Sequence, residues 1–197
     1  MPAAVAPKDA LAFGAGWLYA SAPGQAFPAH TVASSVFSVV PNPAIWFLLG
    51  VTREGHELTI DLSVDPVEAA EYLEPIQNVT TGRTVTIATD MMQMHVGNWL
   101  RAFNGGTATP SGSGATLLTS YRLPQLGQET RIQLLWESTD STERWTAASA
   151  FQQGSVSISR RKGADNASLP VEWTLEPDTN GDPFLPHFAG AIRGRLA

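Results

Sequence analysis

From Glu57 to Val64 the side chains alternate without a break, with Leu58, Ile60, Leu62 and Val64 on one side and Thr59, Asp61 and Ser63 on the other. Only an extended strand, whose successive side chains point to opposite faces, sorts that order into one apolar and one polar surface. A second alternating run follows at Arg83-Thr84-Val85-Thr86-Ile87-Ala88-Thr89. Turn formers are plentiful around these runs: Gly 17 and Pro 14 in 197 residues, with a charged share of 15% against about 25% in a typical soluble domain. Long solvent-facing helices need the charged residues that are missing here. The expectation is a mainly β chain of about eight to ten short strands, arranged as an antiparallel sandwich or barrel.

The remaining strands are expected at Gly16–Ala20, Ile45–Val51, Leu117–Ser120, Arg131–Glu137, Arg144–Phe151, Ser155–Arg160 and Leu169–Leu175, with a last edge strand within Phe184–Leu196. Pro23, Gly24, Pro28, Pro41 and Pro43 break residues 21–44 into irregular stretches, with Val36–Val40 as an extended piece among them. One flanking helix is predicted over 90–104. Met92, Val96, Trp99, Leu100 and Phe103 form a single apolar stripe, Asp90 is placed to cap the start, and Asn104-Gly105-Gly106 supplies the stop. A flexible loop should follow over 107–114. The connection over about 64–82 is too long for a tight hairpin turn, and Asp65-Pro66 with Glu68 predicts a short helix inside it. Residues 1–16, rich in Ala and Pro, read as an N-terminal arm, and 17–197 as a single domain. A chain of this mass should hide roughly 70% of its unfolded surface, enough for a core without staples.

Several chemistries fall away. Cys 0 excludes disulfides, thiolate metal sites and a cysteine nucleophile. No apolar run approaches the ~20 residues of a membrane span, and the N-terminus lacks the basic and apolar regions of a secretory signal, so a soluble, cytoplasmically made product is expected. His30, His56, His95 and His187 show no metal-ligand spacing, and His95 reads as a partly buried structural residue of the helix. There is no P-loop, dinucleotide fingerprint or nucleophile elbow, so neither an enzyme nor a cofactor is expected. Of the six tryptophans, Trp17, Trp46, Trp136, Trp145 and Trp173 fall in expected strands and Trp99 on the helix stripe. Core packing is the expected role of most, with one or two at a subunit contact.

The net charge of -6 is unevenly placed. Seven carboxylates and no bases lie between residues 54 and 76: Glu54, Glu57, Asp61, Asp65, Glu68, Glu71 and Glu74. In the rest of the chain eleven acids face twelve bases, among them the basic turn Arg160-Arg161-Lys162-Gly163. As solvated patches these would simply favour solubility. As complementary surfaces of two copies they would give head-to-tail contacts, which close into rings or extend into tubes.

In order and spacing the chain resembles the major tail proteins, or tail tube proteins, of long-tailed non-contractile bacteriophages. The segments that carry the resemblance are Gly16-Trp17-Leu18-Tyr19, Trp46-Phe47-Leu48-Leu49-Gly50-Val51-Thr52-Arg53-Glu54-Gly55 and Glu68-Ala69-Ala70-Glu71-Tyr72-Leu73-Glu74-Pro75-Ile76. Further ones are Val79-Thr80-Thr81-Gly82-Arg83, Leu100-Arg101-Ala102-Phe103-Asn104-Gly105-Gly106-Thr107 and the stretch from Glu143 to Gly163. The resemblance implies a tail-tube β-sandwich with one flanking helix and long inter-subunit loops and arms, assembled as stacked, hexameric rings. It implies a virion location, and as partners other copies of the chain, a tape-measure protein in the bore, and tail-tip and tail-terminator proteins. DNA would pass through the lumen without specific binding. On this reading Asp65, Glu68, Glu71 and Glu74 meet Arg160, Arg161 and Lys162 between subunits, while other acids line the bore. A carbohydrate- or receptor-binding β-sandwich, and a tail terminator or tube of a phage-derived particle, are the alternatives.

Overall fold

A computed structural model of the chain describes residues 15–67, 76–158 and 167–190. In chain order they form β1 (Gly16–Ser21), β2 (Val32–Ala33), β3 (Val36–Phe37), β4 (Phe47–Leu48), β5 (Thr52–Val67), β6 (Gln77–Met91) and α1 (Val96–Ala102). These are followed by β7 (Thr107–Ser111), β8 (Leu118–Arg122), β9 (Ile132–Ser138), β10 (Glu143–Gln152), β11 (Leu169–Glu176) and β12 (Leu185–Phe188). The protein is mainly β. Its principal sheet runs β4-β1-β9-β10-β11-β6-β5, with β12 joined to β10, while β2–β3 and β7–β8 form separate two-stranded ribbons. Every described pairing is antiparallel.

β10 organises the body because it has two partners along one edge. Its first half pairs with β12 (Glu143–Thr146) and its second half with β11 (Ser149–Gln152). The register with β9 breaks between Ala147 and Ala150, where the partner changes, and such irregularities bend a strand and sharpen its twist. The core cluster draws from both sides of that bend: Leu18 and Ala20 of β1, Leu134 and Trp136 of β9, Val85 and Ile87 of β6, and Val171, Trp173 and Leu175 of β11. Trp136 and Trp145 stack with their centroids 4.1 Å apart. The Trp136 indole lies so close to the Cα of Gly16 that a β-carbon there would overlap it.

The opposite face of β1-β9-β10 is covered by the irregular chain from Ala22 to Ile45, which is why all seven residues of β9 are buried. Trp46 anchors this cover: its Nε1–H donates to Ala26 O at 3.3 Å and its ring packs on Phe27. The backbone N–H groups of Ile45 and Trp46 donate to Asn42 O, so a turn occupies the start of the strand expected over Ile45–Val51 and leaves only β4. Trp46 therefore sits in a bend, and the extended piece expected over Val36–Val40 is limited to β3.

The helix is shorter than the predicted 90–104. β6 keeps pairing with β11 through Asp90 and Met91, so Asp90 is a strand residue opposite Pro170 and His95 takes the N-cap position. A ladder of backbone hydrogen bonds outweighs a single side-chain cap, worth about 1 kcal/mol. The buried face of α1 is also not the apolar stripe but Asn98 and Ala102. Asn98 Nδ2 donates to Leu49 O at 3.0 Å and Gln93 O at 2.8 Å, fastening the helix to the end of β4. Trp99 and Phe103 pack under Tyr121 of β8, and Phe103 also lies against the core cluster. His95, expected to be partly buried, is exposed, with its ring edge against Phe47. The stop is as expected: Asn104, Gly105 and Gly106 all have positive φ. The Asn104 side chain bonds both the N–H and the C=O of Gln152, at 2.9 and 2.7 Å.

Three further expectations are corrected. Residues 107–111 form β7 rather than a flexible loop, held against β8 in register from Thr107–Arg122 to Ser111–Leu118. Residues 155–158 are not a strand. Asp65 and Pro66 do not start a helix, because β5 continues through them to Val67 in register with Val79, Asn78 and Gln77 of β6. The N-terminal arm is described only at its end, where Gly16 already belongs to β1. The long connection over 64–82 is thus largely the distal part of a β5–β6 hairpin.

Candidate functional site

The outer half of the β5–β6 hairpin is open to solvent. β5 has sixteen residues, and from Ile60 to Val67 all are exposed. Near the body its apolar face enters the core, where Val85 and Ile87 of β6 are 2% and 3% exposed. Further out the β5 row continues with Ile60, Leu62 and Val64 at 50%, 60% and 47% exposure, with Arg83 and Thr80 of β6 across from Leu62 and Val64. The alternation that placed these residues in a strand also implied a buried face; that implication holds only for the half next to the body.

The other face carries Glu57, Thr59, Asp61, Ser63 and Asp65, opposite Ala88, Thr86, Thr84, Gly82 and Val79. Three carboxylates therefore recur every fourth residue, about 13 Å apart at 3.3 Å per residue. Thr81 is an extra residue on β6, where the register shifts between Ser63 and Val64, and its Oγ1 bonds Ser63 O at 3.3 Å. As the last strand of the sheet, β5 leaves its outer edge unpaired among the described residues. A long edge with exposed apolar side chains is a template for another chain.

At the base of the hairpin a groove of about 560 Å³ is lined by Glu54, His56, Glu57, Asp90 and Glu172, with Thr89 between them. His56 Nδ1 lies 3.0 Å from Thr89 Oγ1, and burial lowers its pKa to about 4, so it is neutral at physiological pH. Among the described residues no cluster of His, Asp or Glu is arranged to hold a metal ion, and no helix is long and apolar enough to cross a membrane. Its four carboxylates give the groove a negative potential.

Asp65 lies on the carboxylate face, exposed and opposite Val79. Glu68, Glu71, Glu74, Arg160, Arg161 and Lys162 lie outside the described residues, as does most of residues 1–16.

A second exposed surface was not anticipated. Leu117, Leu118, Leu123 and Leu126 are 56%, 65%, 63% and 97% exposed. Leu123 lines a groove of about 720 Å³ together with Thr107, Thr109, Ser120 and Arg122, and Leu126 lies on the 123–130 loop that forms one of its sides. Tyr121 turns inward, its hydroxyl donating to Gly105 O at 2.7 Å, so Leu118, Ser120 and Arg122 face outward by alternation. Four leucines in ten residues, broken by Pro124, were the available sign: too few consecutive positions for a core strand, too apolar for a solvated turn.

On the covered face of the sheet lies a buried polar group. Arg144, fully buried, donates from Nε and Nη2 to Glu137 Oε2 at 3.0 and 2.7 Å. It also reaches Val39 O at 2.8 Å and Ala29 O at 3.4 Å, and its guanidinium lies over the Phe37 ring. The His30 and His187 rings stack beside it at 3.7 Å. Burial first, then the neighbouring imidazole and Arg144, lower the pKa of His30 to about 4; burial and Arg144 lower that of His187. Both are neutral in the folded chain yet titrate near 6.5 when unfolded. Their contribution to stability is complete above pH 6.5 and is lost as pH falls from 6.5 towards 4, since the unfolded chain then binds the protons. Thermal denaturation between pH 7.5 and 4 should show this fall, in part also from His56, and H30Q/H187Q should make it shallower. An unchanged slope in that variant would exclude the stacked pair as its source.

No protein-family model matches the chain, and a search of curated proteins finds no match.

Proposed function

We propose that the chain is a structural subunit of a phage tail tube. It would assemble as stacked, hexameric rings around a tape-measure protein, contact tail-tip and tail-terminator proteins at the ends, and form the conduit for DNA ejection in the virion. On this reading it is a tail-tube β-sandwich with neither enzymatic activity nor a cofactor. The observation that carries the proposal is the β5–β6 hairpin, whose distal half has an apolar face, a carboxylate face and a free edge, all open to solvent. A chain that works alone has reason to blunt such an edge; a subunit that pairs with its neighbours needs it.

Charge supports the same reading. Duplex DNA carries one negative charge per roughly 1.7 Å of axis, so a basic bore would hold it tightly. Carboxylates that stay exposed in the assembled tube, Glu57 among them, would repel the duplex and keep it sliding. Negative-stain electron microscopy of the concentrated protein should show hollow rings or tubes of uniform width, with the ring symmetry giving the subunit number. Monomers at the highest attainable concentration, together with saturable binding in a glycan screen, would replace this reading with a carbohydrate-binding module.

A further inference from the structure

The two exposed apolar surfaces of the described chain differ in shape. One is a projecting hairpin with Ile60, Leu62 and Val64 on one face and Asp61 and Asp65 on the other. The other is a groove lined by Ser120, Arg122 and Leu123, with the exposed Leu126 on the 123–130 loop beside it. The groove belongs to a ribbon that packs on α1 through Tyr121. Neither surface covers the other within one chain.

Their charges are complementary. Among the described residues the ion pairs are Arg83–Asp182, Arg131–Glu176 and Arg144–Glu137, so Arg122 has no carboxylate partner and neither Asp61 nor Asp65 has a base. An exposed guanidinium in a groove floored by Thr and Ser hydroxyls suits a strand that brings a carboxylate and unpaired backbone groups. The polar lining, with the exposed Leu123 and Leu126 on the 123–130 loop, suits a strand that carries carboxylates on one side and apolar side chains on the other.

We infer that the groove between β8 and the 123–130 loop receives the distal β5–β6 hairpin of a second copy of the chain. Asp61 or Asp65 then meets Arg122, while Ile60, Leu62 and Val64 pack against Leu123 and Leu126. This rests on the self-assembling reading above and adds to it the receiving surface. Donor and acceptor are different patches, so the contact is head-to-tail, and every bound copy still offers one free hairpin and one free groove.

The chain has no cysteine, so introduced thiols are the only ones present. Leu62→Cys and Leu126→Cys are made in separate chains, at exposed positions where folding and Tm should be unchanged. They are then mixed and treated with a short bis-maleimide. The expected result is a covalent dimer of the two variants, at least tenfold above either variant alone. Arg122→Asp should abolish assembly, and adding Asp61→Arg or Asp65→Arg in the same chain should restore it.

Rings or tubes that form without the mixed crosslink, or that crosslink Leu62→Cys to itself equally well, overturn this inference and leave the tube reading standing. Absence of both assembly and crosslinking overturns the two together, and a glycan that fills the groove would then identify its occupant.

Discussion

Glu137→Ala is expected to destabilise the fold by about 3–5 kcal/mol, because it leaves a buried guanidinium without its counter-charge. Arg144 is fully buried and takes both of its short side-chain contacts from Glu137. At roughly 2–4 °C per kcal/mol for a domain of this size, Tm should fall by about 10 °C or more. The pair itself is a weaker source of stability than its disruption suggests, since desolvating two charges offsets much of their attraction. Replacing both residues, as in E137L/R144M, should therefore be milder than the single change. It would still remove the hydrogen bonds to Val39 O and Ala29 O that hold down the cover segment, so proteolysis within residues 22–45 should accelerate even where Tm recovers. Denaturant unfolding of the three proteins separates these effects. A loss under about 1 kcal/mol for Glu137→Ala would mean that solvent reaches Arg144.

On the tail-tube reading, replacing residues 64–81 by Asn-Gly, so that Ser63 and Gly82 flank a two-residue turn, should leave a folded monomer that does not assemble. The removed segment contributes no member of the core cluster among the described residues, whereas Leu58, Val85 and Ile87 are retained. Tm should change by only a few degrees, while sedimentation and electron microscopy should show complete loss of rings and tubes. Assembly of the shortened chain would place the self-association surface elsewhere. A shortened chain that fails to fold would show that the outer ladder stabilises the body, and circular dichroism distinguishes that result.

Much of the architecture is legible in single residues. The alternation around Leu58–Val64, the turn at Asn104-Gly105-Gly106 and the apolar runs of β9, β10 and β11 follow from local preference and period, and they appear where local rules place them. Failures occur where a distant partner decides. Asp90 has the chemistry of a cap and Asp65-Pro66 that of a helix start, but each lies on a strand already paired along its length, and no local sequence records that ladder. The helix stripe misleads in another way, because Trp99 packs on the small β7–β8 ribbon while Asn98 is fully buried, and Phe103 alone of the two aromatics also reaches the core cluster. Of the candidate contact residues only Asp65 is within the described chain. Arg122 and its leucines were hidden because exposure, unlike periodicity, depends on which neighbours are missing.

The pairing of β1 with β9 has a temporal consequence. Gly16 meets Ser138 and Ser21 meets Gln133, so the central ladder joins segments more than a hundred residues apart. Contacts of such long range slow folding, because the loop must close before any of them forms. The β5–β6 hairpin is local by comparison and can form while the C-terminal half is still in the ribosome. On a growing chain the projecting edge precedes the closed body, and at synthesis rates of about 5–20 residues per second that interval lasts seconds. On the self-assembling reading, neighbouring nascent chains are exposed to premature edge pairing, and crowding of translating ribosomes should lower the share of product that reaches ordered assemblies.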